Sequence, residues 1–390
     1  MLALQLIFWV SIGLLIYTYF GYPLVLALVA GFRRSCPPPT PEEWPTVSMI
    51  VPAHNEELVI QAKIDNTRGL DYPRGKLELI IASDCSTDAT HEIVQRNEDE
   101  MVKLVVNEQR GGQTAAQHSG VRVAKGEILV FSDANSMYER DALKKLVRHY
   151  ADERVGAVVG RLVYANPDSS VASYGESLYW RYEAWLKRLQ SKAGALVLGN
   201  GAIHSIRRCA HRFIDPRDSY DTMMPILAMS QGFRVVYEPE AVAREPASVH
   251  LEEEYKRKAR IVITDFRTYV GLRFLLWPPR LWMAFNLISH KVLRHLAFIP
   301  MALAFGTCVA LGCYSGFYLV ILVLQAVFYS IAAVGWLVRE RPRQPLLLKV
   351  PLYFVTANAG LALGIWRILR GERTHIWEKV EETRQIRLDV

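Results

Sequence analysis

Cysteine is scarce in this chain, and its cysteines follow no recognised metal-site spacing. There are five among 390 residues, and no Cys-x-x-Cys pair occurs among them: Cys36, Cys85, Cys209, Cys308 and Cys313. An odd count without paired spacing argues against a disulfide framework and against a structural zinc site. We therefore interpret the cysteines as packing residues.

Charged side chains are missing from a long stretch at the start of the chain. None occurs between Leu2 and Phe32, and Arg33 and Arg34 follow directly. Crossing ~30 Å of hydrocarbon takes about 20 helical residues, so this stretch is long enough to span a membrane. A secretory signal peptide is the alternative, but the stretch is too long for one and no basic residue precedes it. We predict an N-terminal membrane anchor.

Two further apolar runs occur in the C-terminal third, Leu296–Ser315 and Phe317–Val338. Basic residues precede the first run and follow the second, and the positive-inside rule places that side of the hairpin in the cytoplasm. A fourth apolar segment, Leu346–Ile368, contains Lys349 and Pro351, and whether it spans, re-enters or lies in the interface is left open. These flanks predict a multi-pass protein of the inner (plasma) membrane whose central part is cytoplasmic.

The formal net charge of +7 has its origin largely in these flanks. No nucleic-acid recognition module is present, so the lipid bilayer is an expected partner and nucleic acid is not. The predicted organisation is a membrane anchor (1–34), a proline-rich linker (35–46), a cytoplasmic domain (47–270), an interfacial amphipathic segment (271–295), a transmembrane hairpin plus a third segment left open (296–368) and a basic cytoplasmic tail (369–390).

The cytoplasmic segment alternates short β-branched runs with helical patterns. Strands are predicted at 47–51, 77–82, 102–106 and 128–131, with helices at 55–68, 88–97 and 114–124 between them. Such alternation predicts βαβ units, and fully apolar strands fit a sheet that is covered on both faces. The predicted fold class is therefore α/β, with a mostly parallel sheet and helices on both faces.

Polar residues stand just past the ends of three of these strands. They are His54, Asn55 and Glu56 after the first strand, Asp84 and Asp88 after the second, and Asp133 and Asn135 after the last. Ligands bind at this edge of open α/β sheets. Acidic clusters suit hydroxyl groups, a base edge or a divalent cation that bridges to phosphates. Helix caps and turns are the alternative interpretation. No P-loop and no Gly-x-Gly-x-x-Gly after a strand occurs.

These motifs make the sequence recognisable. Residues 47–56 (VSMIVPAHNE), 83–88 (SDCSTD) and 131–135 (FSDAN) resemble family 2 glycosyltransferases of the GT-A fold. The membrane-attached branch is the most similar: cellulose, hyaluronan and poly-N-acetylglucosamine synthases and their relatives. The likeness covers about residues 45–270. It implies a hexosyltransferase-type domain with a GT-A fold, flanked by transmembrane helices.

The resemblance also implies roles on the donor side. Ala53, Asn55 and Glu56 would line the nucleotide pocket, and Asp84 would contact the uracil or the ribose. Asp133 and Asn135 match the family's metal-binding Asp-x-Asp, here Asp-Ala-Asn. Mg²⁺ or Mn²⁺ held there would bridge the diphosphate of the donor and stabilise the leaving group.

On the acceptor side, Asn200 and Gly201 belong to a segment that resembles the loop before the acceptor site. Asp221 takes the position of the general base that removes the acceptor's proton, and a helix N-cap is the alternative role. Arg257 and Arg260 lie where processive synthases carry Gln-x-x-Arg-Trp, and either could hold the diphosphate. A basic helix face near anionic lipid is the alternative for that region.

The sequence departs from the family at several positions. Gln113 stands where many relatives have lysine, Asn200 where aspartate is common, Tyr220 at the first place of an acidic pair, and Ile261 in place of tryptophan. The loss of the tryptophan removes a platform on which sugars stack. These changes leave room for an unusual donor or acceptor, or for an impaired enzyme.

The expected function is inverting transfer of a sugar from a nucleotide sugar, with UDP-linked donors as the expected class, to a growing exopolysaccharide or glycan acceptor. One alternative is transfer of a single sugar to a polyprenyl phosphate or another lipid-linked acceptor. The other is a non-catalytic assembly subunit of a polysaccharide synthase, and other subunits of such a synthesis and export system are then expected partners.

Overall fold

A computed structural model describes residues 1–33, 41–166, 170–339, 341, 344–372 and 382–385. Several sequence predictions lie outside these residues. They concern Arg34, Cys36 and the first part of the proline-rich linker, and most of the basic tail after residue 372.

Within the described residues, eight strands form one sheet in the order β3-β2-β1-β4-β7-β6-β8-β5. Their bounds are β1 (Val47–Ala53), β2 (Leu77–Ser83), β3 (Val102–Val106), β4 (Ile128–Phe131), β5 (Met137–Tyr138), β6 (Val155–Tyr164), β7 (His204–Arg207) and β8 (Arg234–Glu245).

The helices before and between the strands are α1 (Leu2–Ile16), α2 (Tyr22–Gly31), α3 (Ile60–Arg68), α4 (Thr90–Arg96), α5 (Gln113–Val123), α6 (Ala142–Val147), α7 (Val171–Ala193) and α8 (Tyr220–Ser230). After the sheet follow α9 (Leu251–Gly271), α10 (Leu281–Leu287), α11 (Leu293–His295), α12 (Phe298–Gly312), α13 (Gly316–Leu337), α14 (Leu346–Leu369) and α15 (Glu382–Gln385). Short π-helical turns at Tyr17–Gly21 and Ile288–Val292 join neighbouring helices, and 3₁₀ turns occur at Arg148–Ala151, Arg208–Ala210 and Leu272–Leu276.

The sheet is mixed: four of its seven strand pairings are parallel, as predicted, and the three antiparallel ones all involve β7 or β5. β3, β2, β1 and β4 are parallel neighbours. β7 runs antiparallel to both β4 and β6, and β5 runs antiparallel to β8, whereas β6 and β8 are parallel. The α/β class itself is confirmed. The predicted helix at 55–68 begins only at Ile60, because residues 54–58 form a loop in which Asn55 has a φ of 56°.

The strands are buried on both faces, which explains their continuous apolar runs. Successive residues of β1 alternate between two cores: Met49 and Val51 pack on one face and Ile50 on the other. Ile64 of α3 belongs to the first core and Ile226 of α8 to the second. This period-2 alternation is what a sheet between two helix layers requires.

In the part of the chain that the structure describes, three helical stretches are long and apolar enough to cross a membrane: Leu2–Gly31, Gly316–Leu337 and Leu346–Leu369. The helices Leu281–His295 and Phe298–Gly312 meet at 55° and would give a fourth candidate if the bent pair counts as one span. The segment 346–368, which the sequence leaves open, is thus part of a continuous helix, whereas the first arm of the predicted hairpin is short and bent away from its neighbour.

The candidate membrane helices pack directly on the central domain. A methyl group at Gly364 of α14 would lie 2.6 Å from the carbonyl oxygen of Ala259, and one at Gly360 would lie 2.8 Å from that of Tyr255. Both oxygens belong to α9. The small-residue spacing in α14 therefore lets two helix backbones approach closely, a packing device of membrane helices.

We expect Gly364→Ala to weaken the contact between α14 and α9, because the added methyl group meets backbone that cannot rotate away. Overpacking of this kind costs about 1–3 kcal/mol of unfolding free energy. The thermal unfolding midpoint of the purified protein in detergent measures it. Gly306→Ala in α12 is the matched control, because no atom lies within 4 Å of its added methyl group. Equal midpoints for the two variants would contradict the assigned contact.

Candidate active site

One large cavity, of about 1290 Å³, begins at the carboxyl ends of β4 and β8 and continues between α7, α9 and α14. The residues that line it include most of the charged and amide side chains discussed below: Gln113, Asp133, Asn135, Asp221, Glu245 and Arg384. Asp133, Asn135 and Glu245 come from the ends of β4 and β8, so the strand ends bring together side chains that are far apart in the chain.

Asp84 holds the loop that precedes α5. Its Oδ1 accepts a hydrogen bond from the backbone N–H of Gly111 and its Oδ2 from that of Gly112, each at 2.8 Å. Gly112 has a φ of 86°, a left-handed conformation that side chains disfavour. Asp84 is only 2% exposed, and the role that its hydrogen bonds show is to hold this loop in place. The predicted contact with uracil or ribose stays a prediction.

The loop after β1 is joined to the loop after β2. Asn55 accepts a hydrogen bond through Oδ1 from the backbone N–H of Thr87 at 2.7 Å. The carbonyl oxygen of Ala53, at the end of β1, accepts one from the N–H of Asp84 at 2.8 Å. The residues predicted for the nucleotide pocket therefore lie on one rigid pair of neighbouring loops.

Glu56 is fully buried and forms a bidentate ion pair with a residue of the C-terminal tail. Its two oxygens accept hydrogen bonds from Nη2 and Nε of Arg384, at 2.7 and 2.8 Å. The sequence assigns the tail only a basic character, and no local pattern connects it with position 56. Arg384 is thus a site residue that the sequence does not reveal.

Asp133 lies at the centre of the charged end of the cavity. Gln113 donates a hydrogen bond from Nε2 to its Oδ1 at 2.9 Å. A methyl group at Gly201 would lie 2.8 Å from its Oδ2, so glycine keeps the space beside this oxygen open. Burial, and then the negative charge of Glu245, raise the pKa of Asp133 to about 7, while Arg384 opposes the shift.

The residues present fit a hard divalent cation that is bound partly by the protein and partly by the oxygens of a diphosphate. Asp133 offers a carboxylate and Asn135, only 8% exposed, an amide on the same cavity. Among the described residues, no three His, Cys, Asp or Glu side chains could hold a metal ion by themselves. Mg²⁺ and similar ions commonly take one or two protein oxygens and complete their shell with phosphate oxygens and water.

The side chain of Lys63, from α3, reaches the loop after β4 that carries Asp133. The sequence analysis does not identify this residue. It is fully buried, donates to Ser132 Oγ at 2.7 Å and to the carbonyl oxygen of Ser136 at 2.6 Å. Burial lowers its pKa to about 7, while the charges of Asp133 and Glu245 act in the opposite direction. A lysine on the otherwise buried face of α3 is the signal that could have revealed it.

Asp221 lies in the first turn of α8 and lines the cavity. The N-cap alternative is wrong, because Ser219 occupies the cap position and its hydroxyl donates a hydrogen bond to Asp221 Oδ1. The backbone N–H of Gly199 donates to the carbonyl oxygen of Asp221 at 2.8 Å. The carboxylate is therefore oriented towards the cavity by its own turn and by the loop that carries Asn200.

Both polar atoms of the Asn200 side-chain amide form hydrogen bonds with the backbone. Nδ2 donates to the carbonyl oxygen of Gly160 at 2.9 Å, and Oδ1 accepts from the N–H of Ile203 at 2.8 Å. Lys187 of α7 donates to the carbonyl oxygen of Gly199 at 2.8 Å. This loop is thereby fixed between β6 and α7 with Gly201 beside Asp133.

Arg257 and Arg260 both line the cavity from α9. The guanidinium of Arg257 pairs with two buried carboxylates, Glu254 at 2.7 Å and Glu176 of α7. Its charge is therefore balanced within the protein. Arg260 lies one turn further along α9 and lines the same cavity.

Comparison with known proteins bears on this geometry. The sequence model described as Glycosyl transferase family 2 matches residues 48–213. The chain carries a family 2 glycosyltransferase domain. That match covers β1 to the turn after β7, with every predicted donor and metal residue except Arg257 and Arg260.

Relatives of this glycosyltransferase domain are similar over part of their length. A beta-monoglucosyldiacylglycerol synthase of Nostoc sp. is 31% identical over 206 residues, which cover 51% of this chain and 44% of the relative. A probable glycosyltransferase of Bacillus subtilis is 28% identical over 245 residues, covering 60% of this chain and 58% of the relative. The chain thus spans about half the length of these curated relatives.

One solved structure is similar over nearly the whole chain. It is a mannosyltransferase from Pyrobaculum calidifontis in complex with GDP-Man and Mn²⁺, with a TM-score of 0.70 and 24% identity. The similarity covers 94% of this chain and 99% of that one. The GT-A type of fold, including the flanking helices, is therefore shared.

The start of α8, and with it Asp221, is supported by a cluster of aromatic side chains. Tyr220 packs on Phe131 with ring centroids 4.8 Å apart and hydrogen-bonds His211. His118 lies against Tyr220 at 5.7 Å. Burial lowers the pKa of both histidines to about 4, with Arg122 adding to the effect at His118, and His118, Arg212 and Arg208 at His211.

These neutral histidines predict a loss of stability in mild acid. Below about pH 6.5 the unfolded chain takes up protons that the folded protein does not accept until about pH 4. The unfolding free energy should therefore fall as the pH drops through this range. Thermal unfolding at pH 7.5 and pH 5 measures it. In the double variant His118→Gln/His211→Gln the difference between the two pH values should shrink, and an unchanged difference would assign the effect to other groups.

Proposed function

We propose that this protein is a membrane-attached, metal-dependent hexosyltransferase that moves a sugar from a nucleotide sugar to an acceptor with inversion. The observation that carries the proposal is the single cavity that contains both Asp133 and Asp221 and runs on between the candidate membrane helices. It offers a donor end, a basic group and an acceptor path in one continuous space. The family 2 domain supports sugar transfer as the chemistry.

On the donor side, Asp133 and Asn135 would hold Mg²⁺ or Mn²⁺ together with the diphosphate. The cation supplies charge stabilisation to the departing nucleoside diphosphate. Ala53, Asn55 and Asp84 lie on the two loops where the nucleotide is expected. The Pyrobaculum mannosyltransferase, which was solved with Mn²⁺ and GDP-Man, supports this kind of donor site. UDP- and GDP-linked sugars are therefore the two donor classes to compare.

On the acceptor side, Asp221 would remove the proton from the attacking hydroxyl group. An inverting transfer needs a base opposite the leaving group, and such catalysis is typically worth 10²- to 10⁴-fold in rate. Ser219 and the loop at Gly199 orient the carboxyl group. Asn200 and Gly201 would act indirectly, by keeping that loop beside Asp133.

The departures from the family pattern do not favour an inactive subunit. Gln113 donates a hydrogen bond to Asp133, Asn200 fixes the acceptor-side loop, and Tyr220 anchors the helix that carries Asp221. Each of these three residues thus has a position in the site that supports a neighbouring group. We therefore prefer an active enzyme over a non-catalytic assembly subunit.

The acceptor that the cavity supports best is a lipid-linked one. The outer part of the cavity is lined by candidate membrane segments, including Phe20, Val350, Phe354 and Leu361, and by the basic Lys291. Apolar walls with a cation suit an acceptor that carries an acyl or prenyl chain and a polar head. The Nostoc relative, named a beta-monoglucosyldiacylglycerol synthase, supports this class. Basic residues beside the spans favour the cytoplasmic face of the inner membrane.

Extension of a glycan is the second candidate. Tyr179, Trp180, Tyr182 and Trp185 of α7 line the same cavity, and aromatic faces are surfaces on which sugars stack. A rhizobial relative named N-acetylglucosaminyltransferase, 25% identical over 252 residues, also supports this class.

We expect Asp221→Asn and Asp133→Ala each to lower transfer by about 100-fold or more, because the first removes the base and the second a ligand of the cation. Transfer of radiolabelled sugar from UDP- and GDP-linked donors into membranes measures the effect. Asp71→Asn, a surface residue paired with Lys144, is the control and should retain full activity. Full activity in either site variant would contradict the proposed roles.

For the acceptor, we expect the labelled product to extract into chloroform–methanol as a lipid that carries one added sugar. A cavity lined by candidate membrane helices holds the acceptor at its lipid end, so release after each transfer is the simplest outcome. Mass spectrometry of the extracted product gives its size. A polymer that stays in the aqueous or insoluble fraction would reverse the preference between the two acceptors.

A further inference from the structure

The tail helix α15 reaches the donor side of the site from the far end of the chain. Arg384 and Glu56 are separated by 328 positions, yet their side chains are only 7% and 0% exposed. Arg384 Nη1 also donates to Thr383 Oγ1 at 3.0 Å. All three guanidinium nitrogens are thus hydrogen-bonded inside the protein.

The charge of Arg384 acts on more than its direct partner. Burial alone would lower the pKa of the Arg384 guanidinium, but the hydrogen bond and charge of Glu56 and the charges of Glu245 and Asp133 raise it. Two of these three carboxylates are the predicted nucleotide-side residue Glu56 and the predicted cation ligand Asp133. One guanidinium therefore serves as a shared counter-ion at the place where a donor's cation is expected.

The position of Arg384 also divides the site. Thr383 and Arg384 line the large cavity together with Gln113, Asp133 and Asn135. The nucleotide-side residues, in contrast, are not among those that line it: Ala53, Asn55, Glu56 and Asp84. Arg384 touches Glu56 on one side and the cavity on the other. A donor that reaches from the nucleotide loops to Asp133 has to cross this position.

We propose that Thr383 and Arg384 form a C-terminal plug that occupies the cation and diphosphate position of the donor site and must leave before a nucleotide sugar binds. The plug rests on the proposed function, because it presupposes that Asp133 and the loops after β1 and β2 form the donor site. It makes the tail a self-inhibitory segment whose ligand-like group is a guanidinium.

Charge balance makes the exchange reversible. A buried carboxylate left without a positive partner is strongly destabilised, so Glu56 and Asp133 need a counter-ion in either state. The plug supplies an arginine, and the donor complex supplies a divalent cation. The helix α15 has only four residues, too few to be stable by itself, so the ion pair is the main attachment described for it.

The opposite role is that Arg384 clamps the diphosphate, as arginine often does. The two roles predict opposite changes in donor affinity when Arg384 is removed. A plug competes with the donor, so its removal strengthens donor binding, because a larger fraction of the protein is then competent to bind. A clamp binds the donor, so its removal weakens binding.

The first experiment compares nucleotide binding by the full-length protein in detergent. Calorimetry with UDP and with GDP, each in the presence of Mn²⁺, should give a dissociation constant about tenfold lower for Arg384→Ala than for the unmodified protein. Arg370→Ala is the control, since it removes an arginine that is exposed and stacks on Trp366, away from Glu56 and Asp133, and it should leave the constant unchanged. Equal or weaker binding by Arg384→Ala would overturn the plug.

The second experiment needs no variant and so does not depend on the folding of Arg384→Ala. Hydrogen–deuterium exchange of the unmodified protein should speed up in peptides that contain residues 382–385 when Mn²⁺ and the binding nucleotide are added. Slower or unchanged exchange would overturn displacement of the segment. If neither nucleotide binds with Mn²⁺ to the unmodified protein or to either variant, the proposed donor site itself is wrong. That outcome differs from nucleotide binding that is equally strong with and without Arg384, which would overturn only the plug.

Discussion

Crowding of negative charge at one edge of the sheet is the constraint around which the site is organised. Asp133 lies near Glu245, Asp221 and Glu56, and burial keeps water from screening their repulsion. This repulsion is offset by cationic or hydrogen-bond-donating side chains from separate elements: Lys63 from α3, the amide of Gln113 from α5 and Arg384 from the tail. A cation that arrives with a diphosphate would relieve the same repulsion, so the charge distribution supports the proposed metal dependence in addition to the Asp-Ala-Asn motif.

The ends of the first strands were predictable because their cause is local. Apolar runs such as Ile128–Phe131 end at a polar residue, and parallel neighbours bring these ends to one edge, so Asp84 and Asp133 are placed correctly from the sequence. Lys63 was harder, because a single lysine on a helix resembles a surface residue until the burial of its neighbours is known. Arg384 was beyond reach, because an ion pair across 328 positions leaves no periodic or motif signal.

The same contrast applies to residues that depart from the family pattern. Viewed as replacements, Asn200 and Tyr220 are losses of charge. In the fold, Asn200 satisfies two backbone groups of its loop, and Tyr220 fills a ring cluster with Phe131 and His211. Such substitutions exchange an electrostatic role for a packing or hydrogen-bonding role. Only the three-dimensional surroundings distinguish such an exchange from a simple loss of function. The mixed second half of the sheet has the same explanation: strand direction is set by pairing, which composition does not encode.

The close contact of α14 with α9 has a consequence for substrate choice. Gly360 and Gly364 leave no gap between the two helices, and α9 carries Arg257 and Arg260 along the cavity. With α14 seated in a bilayer, the reacting groups stay at one height above the lipid surface. For the proposed lipid-linked acceptor, the distance by which its hydroxyl group projects from the membrane would then restrict which acceptors can react, in addition to the chemistry of the head group.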